Sequence, residues 1–170
     1  MKHKVIDNFL DKEYFDSLVS LLGEIPWFFQ PTVAKDKSEI EDKIFFLSHM
    51  FYARNSPCSQ LYEKLIPLLE RLNPNNGLVL MRMKANFYPN TAKLHEHPMH
   101  VDFDFPHTSA LLSLNTCDGY TKIADGTKID SVANRVLIFD SGQQHCSSTT
   151  TNVFARFNIN INYIDPLKKT

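Results

Sequence analysis

The chain has 170 residues, of which 43% are hydrophobic and 22% are charged, and its formal net charge is −1. This balance is typical of one soluble globular domain with a sizeable core, and it gives no support for general affinity for nucleic acid or membranes. Since the three cysteines have no paired spacing and the sequence shows neither a signal-peptide pattern nor a run of ~20 apolar residues, we expect a cytoplasmic protein with reduced thiols.

The first 77 residues are predicted to form a helical region that supports the rest of the domain. Residues 5–10 have the pattern of a short strand, and Asp11 is a suitable N-cap for a helix that ends near Gly23. A second helix is predicted to begin at Ser56 as its N-cap, with Pro57 at the first helical position.

The sequence also suggests a structure for three other stretches of this region, and for two of them an alternative stays open. Residues 44–52 are apolar and aromatic, which fits either a strand or a buried connector. The aromatic run 27–29 (Trp27, Phe28 and Phe29) is expected in the core rather than against a substrate. The charged run 35–43 is expected to be a solvated loop, with a lid over a site as the alternative.

From residue 78 to residue 163 the pattern changes to strands separated by turn signals, with a hairpin predicted at Asp125-Gly126. Two of these strands alternate polar and apolar residues, which predicts one face packed against helices and one face that could line an interior. The remaining strands are predicted at 98–105, 109–115, 120–123, 128–131 and 135–139. The polar faces carry Arg82, Lys84, Asn86 and Tyr88 in the first alternating strand, and Arg156, Asn158, Asn160 and Asn162 in the last.

Helices followed by short strands predict a mainly β fold, a jelly-roll-like barrel or sandwich backed by helices, in a single domain. Arg82 and Lys84 could attract an acidic substrate, but a solvated strand edge is the simpler interpretation. An Arg156 side chain inside the barrel would need an anionic partner, and a dicarboxylate ligand would supply one.

The stretch 99–104, Met-His-Val-Asp-Phe-Asp, carries the chemistry. In an extended strand His100 and Asp102 point to the same side, and together they form two thirds of a 2-His-1-carboxylate site for Fe(II). The candidate third ligand is His145, 43 residues later, and Arg156 follows eleven residues after it. His-x-Asp alone is weak evidence, because a surface histidine beside an aspartate is common; the ordered set is much stronger.

A second pair of histidines, His95 and His97, could suggest zinc instead. No cysteine or histidine partner at zinc-site spacing accompanies them, so a polar turn is the better interpretation, although one of them could approach the mouth of the site.

With these motifs the sequence resembles the Fe(II)/2-oxoglutarate-dependent oxygenases, and within them the small prolyl-hydroxylase-like members of bacteria and phages. The resemblance covers nearly the whole chain and rests on four segments besides the ligand motif. They are Ile-Asp-Asn-Phe-Leu at 6–10, Asn-Phe-Tyr-Pro-Asn at 86–90, Asn-Thr-Cys-Asp-Gly-Tyr-Thr at 115–121, and Asn-Arg-Val-Leu-Ile-Phe-Asp at 134–140.

The resemblance implies a double-stranded β-helix with His100, Asp102 and His145 as iron ligands, and it implies that Arg156 binds the far carboxylate of 2-oxoglutarate. It places Tyr88 where relatives often hydrogen-bond the same carboxylate. Many relatives have Arg-x-Ser where this chain has Arg-Phe-Asn, so Asn158 is the candidate replacement for the hydroxyl. Asn86 and Asn115 are further candidates for cofactor contact, although inward-facing amides could equally satisfy each other.

The activity implied is an O2-using dioxygenase that hydroxylates a C–H bond, expected on a peptide or protein side chain, and releases succinate and CO2. The alternative from another class is a cupin-type jelly roll that binds a metal or ligand without oxygenase activity. Prolyl, lysyl, nucleobase and small-molecule substrates, demethylation as the outcome, and the oligomeric state all remain open from sequence.

Overall fold

A computed structural model describes residues 3–33, 44–74 and 77–166, and the charged run at 35–43 lies outside the described residues. Those residues contain eleven strands, two α-helices and a 3₁₀ turn at Tyr62–Leu65. The helices are α1 (Lys12–Leu21) and α2 (Ile66–Leu72). The strands are β1 (His3–Ile6), β2 (Phe28–Gln30), β3 (Phe46–Ala53), β4 (Ser56–Pro57), β5 (Val79–Pro89), β6 (Thr108–Ser113), β7 (Tyr120–Ile123), β8 (Lys128–Asp130), β9 (Arg135–Asp140), β10 (His145–Ser147) and β11 (Ala155–Ile164).

The strands form two antiparallel sheets. The larger sheet has the order β1-β9-β6-β11-β5-β3-β2, with β4 attached to β3, and the smaller sheet has the order β10-β7-β8. Strands that are distant in sequence therefore lie side by side, as in a jelly roll whose chain crosses between two facing sheets. The predicted fold class, a mainly β double-stranded β-helix with supporting helices, is confirmed.

The alternation along β5 and β11 gives the larger sheet two different faces. Met83 of β5 and Ile161 of β11 are fully buried in a core cluster that also contains Leu18 of α1 and Leu68 of α2. Because side chains alternate between the faces of a strand, the polar residues of the same strands project to the opposite, inner side. The helices thus cover the apolar outer face and leave a polar interior between the sheets.

Near the N-terminus, the prediction of a strand followed by a capped helix is confirmed. β1 pairs with β9, and the Asp11 carboxylate accepts a hydrogen bond from the Tyr14 backbone N–H at 2.9 Å. The Asn134 side chain, at the start of β9, bonds both the N–H and the carbonyl of Leu10. The first residues are therefore fixed to the same sheet as the β core, so the supporting region also contributes strands.

The predicted helix start at Ser56 and Pro57 is wrong. Arg54 and Asn55 have positive φ angles of 54° and 59°, which turn the chain into a tight hairpin, and Pro57 pairs with Tyr52. The helix begins later, at α2, where a different proline, Pro67, lies in the first turn. The stretch 44–52, predicted as either a strand or a buried connector, contributes to the strand β3.

The predicted burial of the aromatic run is right for Trp27 and wrong for its neighbours. Trp27 packs on Phe87 and Phe157 with ring centroids at 5.5 and 6.0 Å. Phe28 and Phe29 are 58% and 63% exposed, because β2 is the last strand of its sheet and side chains on both of its faces can remain in solvent. The predicted hairpin at Asp125-Gly126 is confirmed between β7 and β8. Among the described residues, none of the helices is long and apolar enough to cross a membrane.

Candidate metal centre

Three side chains predicted as ligands come together between the two sheets. One ligand atom from each of His100, Asp102 and His145 lies within 4.8 Å of the other two. The His145 Nε2 to Asp102 Oδ2 distance is 3.9 Å, and the two imidazole ring centroids are 4.7 Å apart. In the described part of the chain this is the one group of three such ligands, and neither His95 nor His97 belongs to it. His97 instead packs on the Tyr88 ring at 5.3 Å.

Backbone pairing positions both histidines. His145 opens β10, and its N–H and carbonyl both bond to His100, at 2.9 Å each. The predicted strand at 98–105 is wrong, since the pairing at His100 is an isolated bridge and the chain bends at 102–105. Asp102 therefore reaches the histidines from a bend rather than from a regular strand.

Local hydrogen bonds orient the imidazoles. His100 Nδ1 lies 3.1 Å from the Pro98 carbonyl, and His145 Nδ1 lies 3.5 Å from the Gln143 carbonyl. Since a carbonyl only accepts, Nδ1 of each ring carries a proton, which leaves Nε2 as the nitrogen available to a metal. Burial lowers the pKa of His145 to about 4, although the Asp102 carboxylate opposes this, so the ring is neutral at pH 7.

Asp102 is held by residues that the sequence did not connect to it. Arg82 Nη2 lies 2.5 Å from Oδ1, and the side-chain amides of Asn162 and Asn160 donate to Oδ2 at 2.8 and 3.2 Å. Burial alone would raise the pKa of this carboxyl, but Arg82, His145 and Lys84 outweigh it and hold the pKa of Asp102 well below its usual range.

The interpretation of Arg82 and Lys84 as a solvated strand edge is wrong. β5 lies inside the sheet between β11 and β3, and both side chains line the interior cavity. The alternation of β5 correctly predicted that they share a face with Asn86 and Tyr88. It could not show which face, because that depends on where the helices pack.

The donor set suits Fe(II). Two imidazoles and one carboxylate, with no fourth histidine, cysteine or acidic ligand beside them among the described residues, are the ligands of non-haem Fe(II) oxygenases, a set that leaves coordination positions open. A cavity of about 300 Å³ adjoins the three side chains. Its wall continues along the inner faces of β5, β10 and β11.

Arg156 lies behind this wall, in contact with the lining residues Thr121 and Tyr88, and its charge has no anionic partner among the described residues. Its side chain is 2% exposed, it donates to the Thr121 hydroxyl at 2.8 Å and the Ser148 carbonyl at 3.2 Å, and its Nε has no partner among the described residues. The guanidinium also lies over the Tyr88 ring, 5.5 Å from the centroid. No carboxylate in the described part of the chain pairs with it, and burial lowers the pKa of Arg156 for that reason.

Strand register relates Arg156 to the ligands. Thr121, its hydrogen-bond partner, is opposite Ser147, whereas His145 is opposite Ile123. Thr121 and Ile123, the residue opposite His145, are two positions apart along β7, which is about 7 Å. That spacing matches a five-carbon dicarboxylate with one end at the metal ligands and the other near Arg156.

The remaining cofactor candidates divide into two groups. Tyr88, Asn86 and Asn158 line the cavity. The Asn86 amide donates to Asn158 Oδ1 at 2.8 Å, so the two amides bond to each other, but Asn86 Oδ1 has no partner among the described residues. Asn115 is elsewhere: its side chain donates to the Ala155 carbonyl and accepts from the Phe157 N–H, both on β11. The sequence did not reveal the contacts of Thr121, Asn160 and Arg82. Only the polar alternation of β5 and β11 gave a signal for the last two.

Solved structures of known enzymes share this fold. An oxidoreductase of the 2OG-Fe(II) oxygenase family from Burkholderia pseudomallei aligns with a TM-score of 0.71 and 14% identity, over 96% of this chain and 85% of that one. HygX from Streptomyces hygroscopicus, solved with nickel and 2-oxoglutarate bound, aligns with a TM-score of 0.65 and 13% identity, over 97% and 83%. A prolyl hydroxylase from Trichoplax adhaerens, in complex with a hypoxia inducible factor peptide fragment, aligns with a TM-score of 0.62 and 16% identity, over 99% and 87%.

No protein-family model matches the sequence, and no curated protein matches it either. At these identities the structural likeness shows the fold. The chain thus has the fold of the Fe(II)/2-oxoglutarate oxygenases, and the predicted resemblance to that superfamily is confirmed at the level of the fold.

Proposed function

We propose that this protein is an Fe(II)- and 2-oxoglutarate-dependent dioxygenase that hydroxylates a C–H bond and releases succinate and CO2. One observation carries the proposal. A two-histidine, one-carboxylate cluster lines the cavity, and a buried arginine without an anionic partner among the described residues lies directly behind Thr121 and Tyr88 of the cavity wall, at the spacing of a dicarboxylate. A metal-binding jelly roll with no co-substrate would have no use for the buried cation.

In this proposal His100, Asp102 and His145 hold the iron, and Arg156 with Thr121 holds the far carboxylate of 2-oxoglutarate. Bound iron and 2-oxoglutarate supply the oxidising chemistry with O2. A guanidinium fork suits a carboxylate because both oxygens can accept hydrogen bonds from it. The Tyr88 ring covers one face of the guanidinium and keeps water from its charge, which strengthens the pairing.

The remaining residues prepare the ligands. Arg82 and Asn162 fix the Asp102 carboxylate from behind, and the carbonyls of Pro98 and Gln143 fix the tautomers of the two histidines. Ligands preorganised in this way would hold iron at the edge of the cavity without having to rearrange. We propose a peptide or protein side chain as the substrate, because the Trichoplax enzyme of similar fold was solved with a peptide.

The test is 2-oxoglutarate turnover. Purified protein with Fe(II) under air should convert 2-oxoglutarate to succinate slowly even without its substrate, and His100→Ala and Asp102→Ala should abolish this. His3→Ala, on β1 and outside the cavity lining, is the matched control and should leave the rate unchanged. Metal binding without succinate formation, with no response to Arg156→Gln, would favour the cupin-type binding domain instead.

A further inference from the structure

Lys84 is a second cation in the cavity, and no carboxylate among the described residues forms a direct ion pair with it, although Asp102 acts on its charge from a distance. It lines the cavity beside the metal ligands, and among the described residues no hydrogen bond or ion pair engages its ammonium. Its Nζ lies near the Phe46 ring, 5.4 Å from the centroid. Its neighbour Arg82 differs, because Asp102 compensates the charge of Arg82 at 2.5 Å.

The side chain opposite Lys84 is also incompletely satisfied. Asn160 is the register partner of Lys84 on β11, and opposite residues on one face of paired strands have Cβ atoms about 5 Å apart. Asn160 donates its amide to Asp102, which as a carboxylate can only accept, so the orientation of the amide is fixed. Its Oδ1 is consequently an acceptor, and it has no donor among the described residues.

The Lys84 ammonium and the Asn160 carbonyl oxygen together indicate which groups a ligand must present. We propose that Lys84 and Asn160 form the substrate subsite, and that the substrate presents a carboxylate to Lys84 with an N–H donor beside it for Asn160. This is the chemistry of an N-acyl amino acid, whether free or as the last residue of a peptide. The inference rests on the proposed function, because it assumes that 2-oxoglutarate occupies the side of the cavity nearest Arg156.

Two further features support the assignment. Burial and the nearby Arg82 lower the pKa of Lys84 to about 8, and Asp102 opposes this, so the ammonium is mostly protonated at pH 7. The cavity of about 300 Å³ is small for a ligand site and must also hold 2-oxoglutarate. It therefore has room for one small substrate group rather than for an extended chain.

The experiment uses three matched probes on the protein loaded anaerobically with Fe(II) and 2-oxoglutarate. N-acetylglycine has both the carboxylate and the N–H, N-acetylglycinamide lacks the charge, and acetoxyacetate replaces the N–H by oxygen. Calorimetric titration should show N-acetylglycine binding about tenfold more tightly than either of the others. Lys84→Met should remove the difference between the acid and the amide, and Lys64→Met, a surface lysine paired with Glu24, should preserve it.

Several results would overturn the inference. They are equal binding of acid and amide by the wild-type protein, absence of binding by any probe at millimolar concentration, or an acid preference that survives Lys84→Met. A tenfold loss of 2-oxoglutarate affinity in Lys84→Met would also overturn it, since Lys84 would then bind the co-substrate. Lys84→Gln repeats the test if the methionine variant does not fold. Failure of the wild-type protein to bind 2-oxoglutarate at all would count against the proposed function itself.

Discussion

Arg156 shows how much of the proposed function depends on a single residue. A buried guanidinium that, among the described residues, bonds only a hydroxyl and a carbonyl is costly to the folded protein, and a bound carboxylate would remove that cost. Arg156→Gln should therefore raise the dissociation constant of 2-oxoglutarate by roughly 100-fold, in the range for truncating one side of a buried charge pair. Arg156→Lys should give an intermediate loss, because it keeps the charge without the fork.

The measurement is an anaerobic titration of metal-loaded protein with 2-oxoglutarate. Arg135→Gln is the matched control, since Arg135 is paired with Asp7 at the surface on β9 and should leave the affinity unchanged. An affinity in Arg156→Gln equal to that of the control would show that the far carboxylate binds elsewhere.

His145 gives the metal-free protein a pH dependence whose direction follows from its pKa. Burial lowers this pKa from 6.5 to about 4, so between these values the unfolded chain binds more protons than the folded one, and stability rises with pH. On going from pH 7 to pH 5 the contribution of this residue to the free energy of unfolding should fall by roughly 2 kcal/mol.

Urea unfolding of chelator-treated protein at pH 5, 6 and 7 measures this change. His145→Gln should reduce the pH dependence, because glutamine does not titrate. The same slope in both proteins would mean that other groups cause it.

At the scale of elements, the turn before β7 has to be glycine. A Cβ on Gly119 would lie 2.6 Å from the Thr149 carbonyl oxygen and 2.7 Å from Arg156 Cδ, both closer than atoms tolerate. Gly119→Ala should therefore displace Arg156, weaken 2-oxoglutarate binding about tenfold, and destabilise the fold by about 1–3 kcal/mol.

Gly23→Ala is the comparison for this turn. The nearest atom to a Cβ there is 3.7 Å away, an ordinary contact, so stability should change by less than about 0.5 kcal/mol. Equal 2-oxoglutarate affinity in wild-type protein and Gly119→Ala would show that Arg156 is not positioned by this turn.

Elements also show where sequence patterns suffice and where they fail. The alternation of β5 and β11 predicted both strands and their polar faces, because polar and apolar residues that alternate strictly over many positions are typical of a half-buried strand. The Ser-Pro pair at Ser56 was misleading, since the same dipeptide fits a hairpin strand once Arg54 and Asn55 take positive φ angles. Those angles depend on the pairing of β3 with β4, which no local pattern contains.

For the molecule as a whole, the sequence predicted the fold class but not the contacts that complete the site. The ligand motif and the distant histidine could be found by spacing and resemblance, because their order along the chain is characteristic. The contact between Arg82 and Asp102 joins β5 to the bend after His100, and the pairing of Lys84 with Asn160 depends on the register of β5 and β11. Such contacts follow from the order of strands in the sheet, which hydrophobic periodicity does not specify.

The most direct test of the whole-molecule proposal is an anaerobic titration of the metal-free protein with Fe(II) and then with 2-oxoglutarate, followed by visible absorbance. A weak charge-transfer band should appear only after the second addition, because it requires 2-oxoglutarate to chelate iron held by His100, Asp102 and His145. The band should be lost in His100→Ala. A well-folded wild-type protein that gives no band would contradict the proposal that this cavity binds iron and 2-oxoglutarate together.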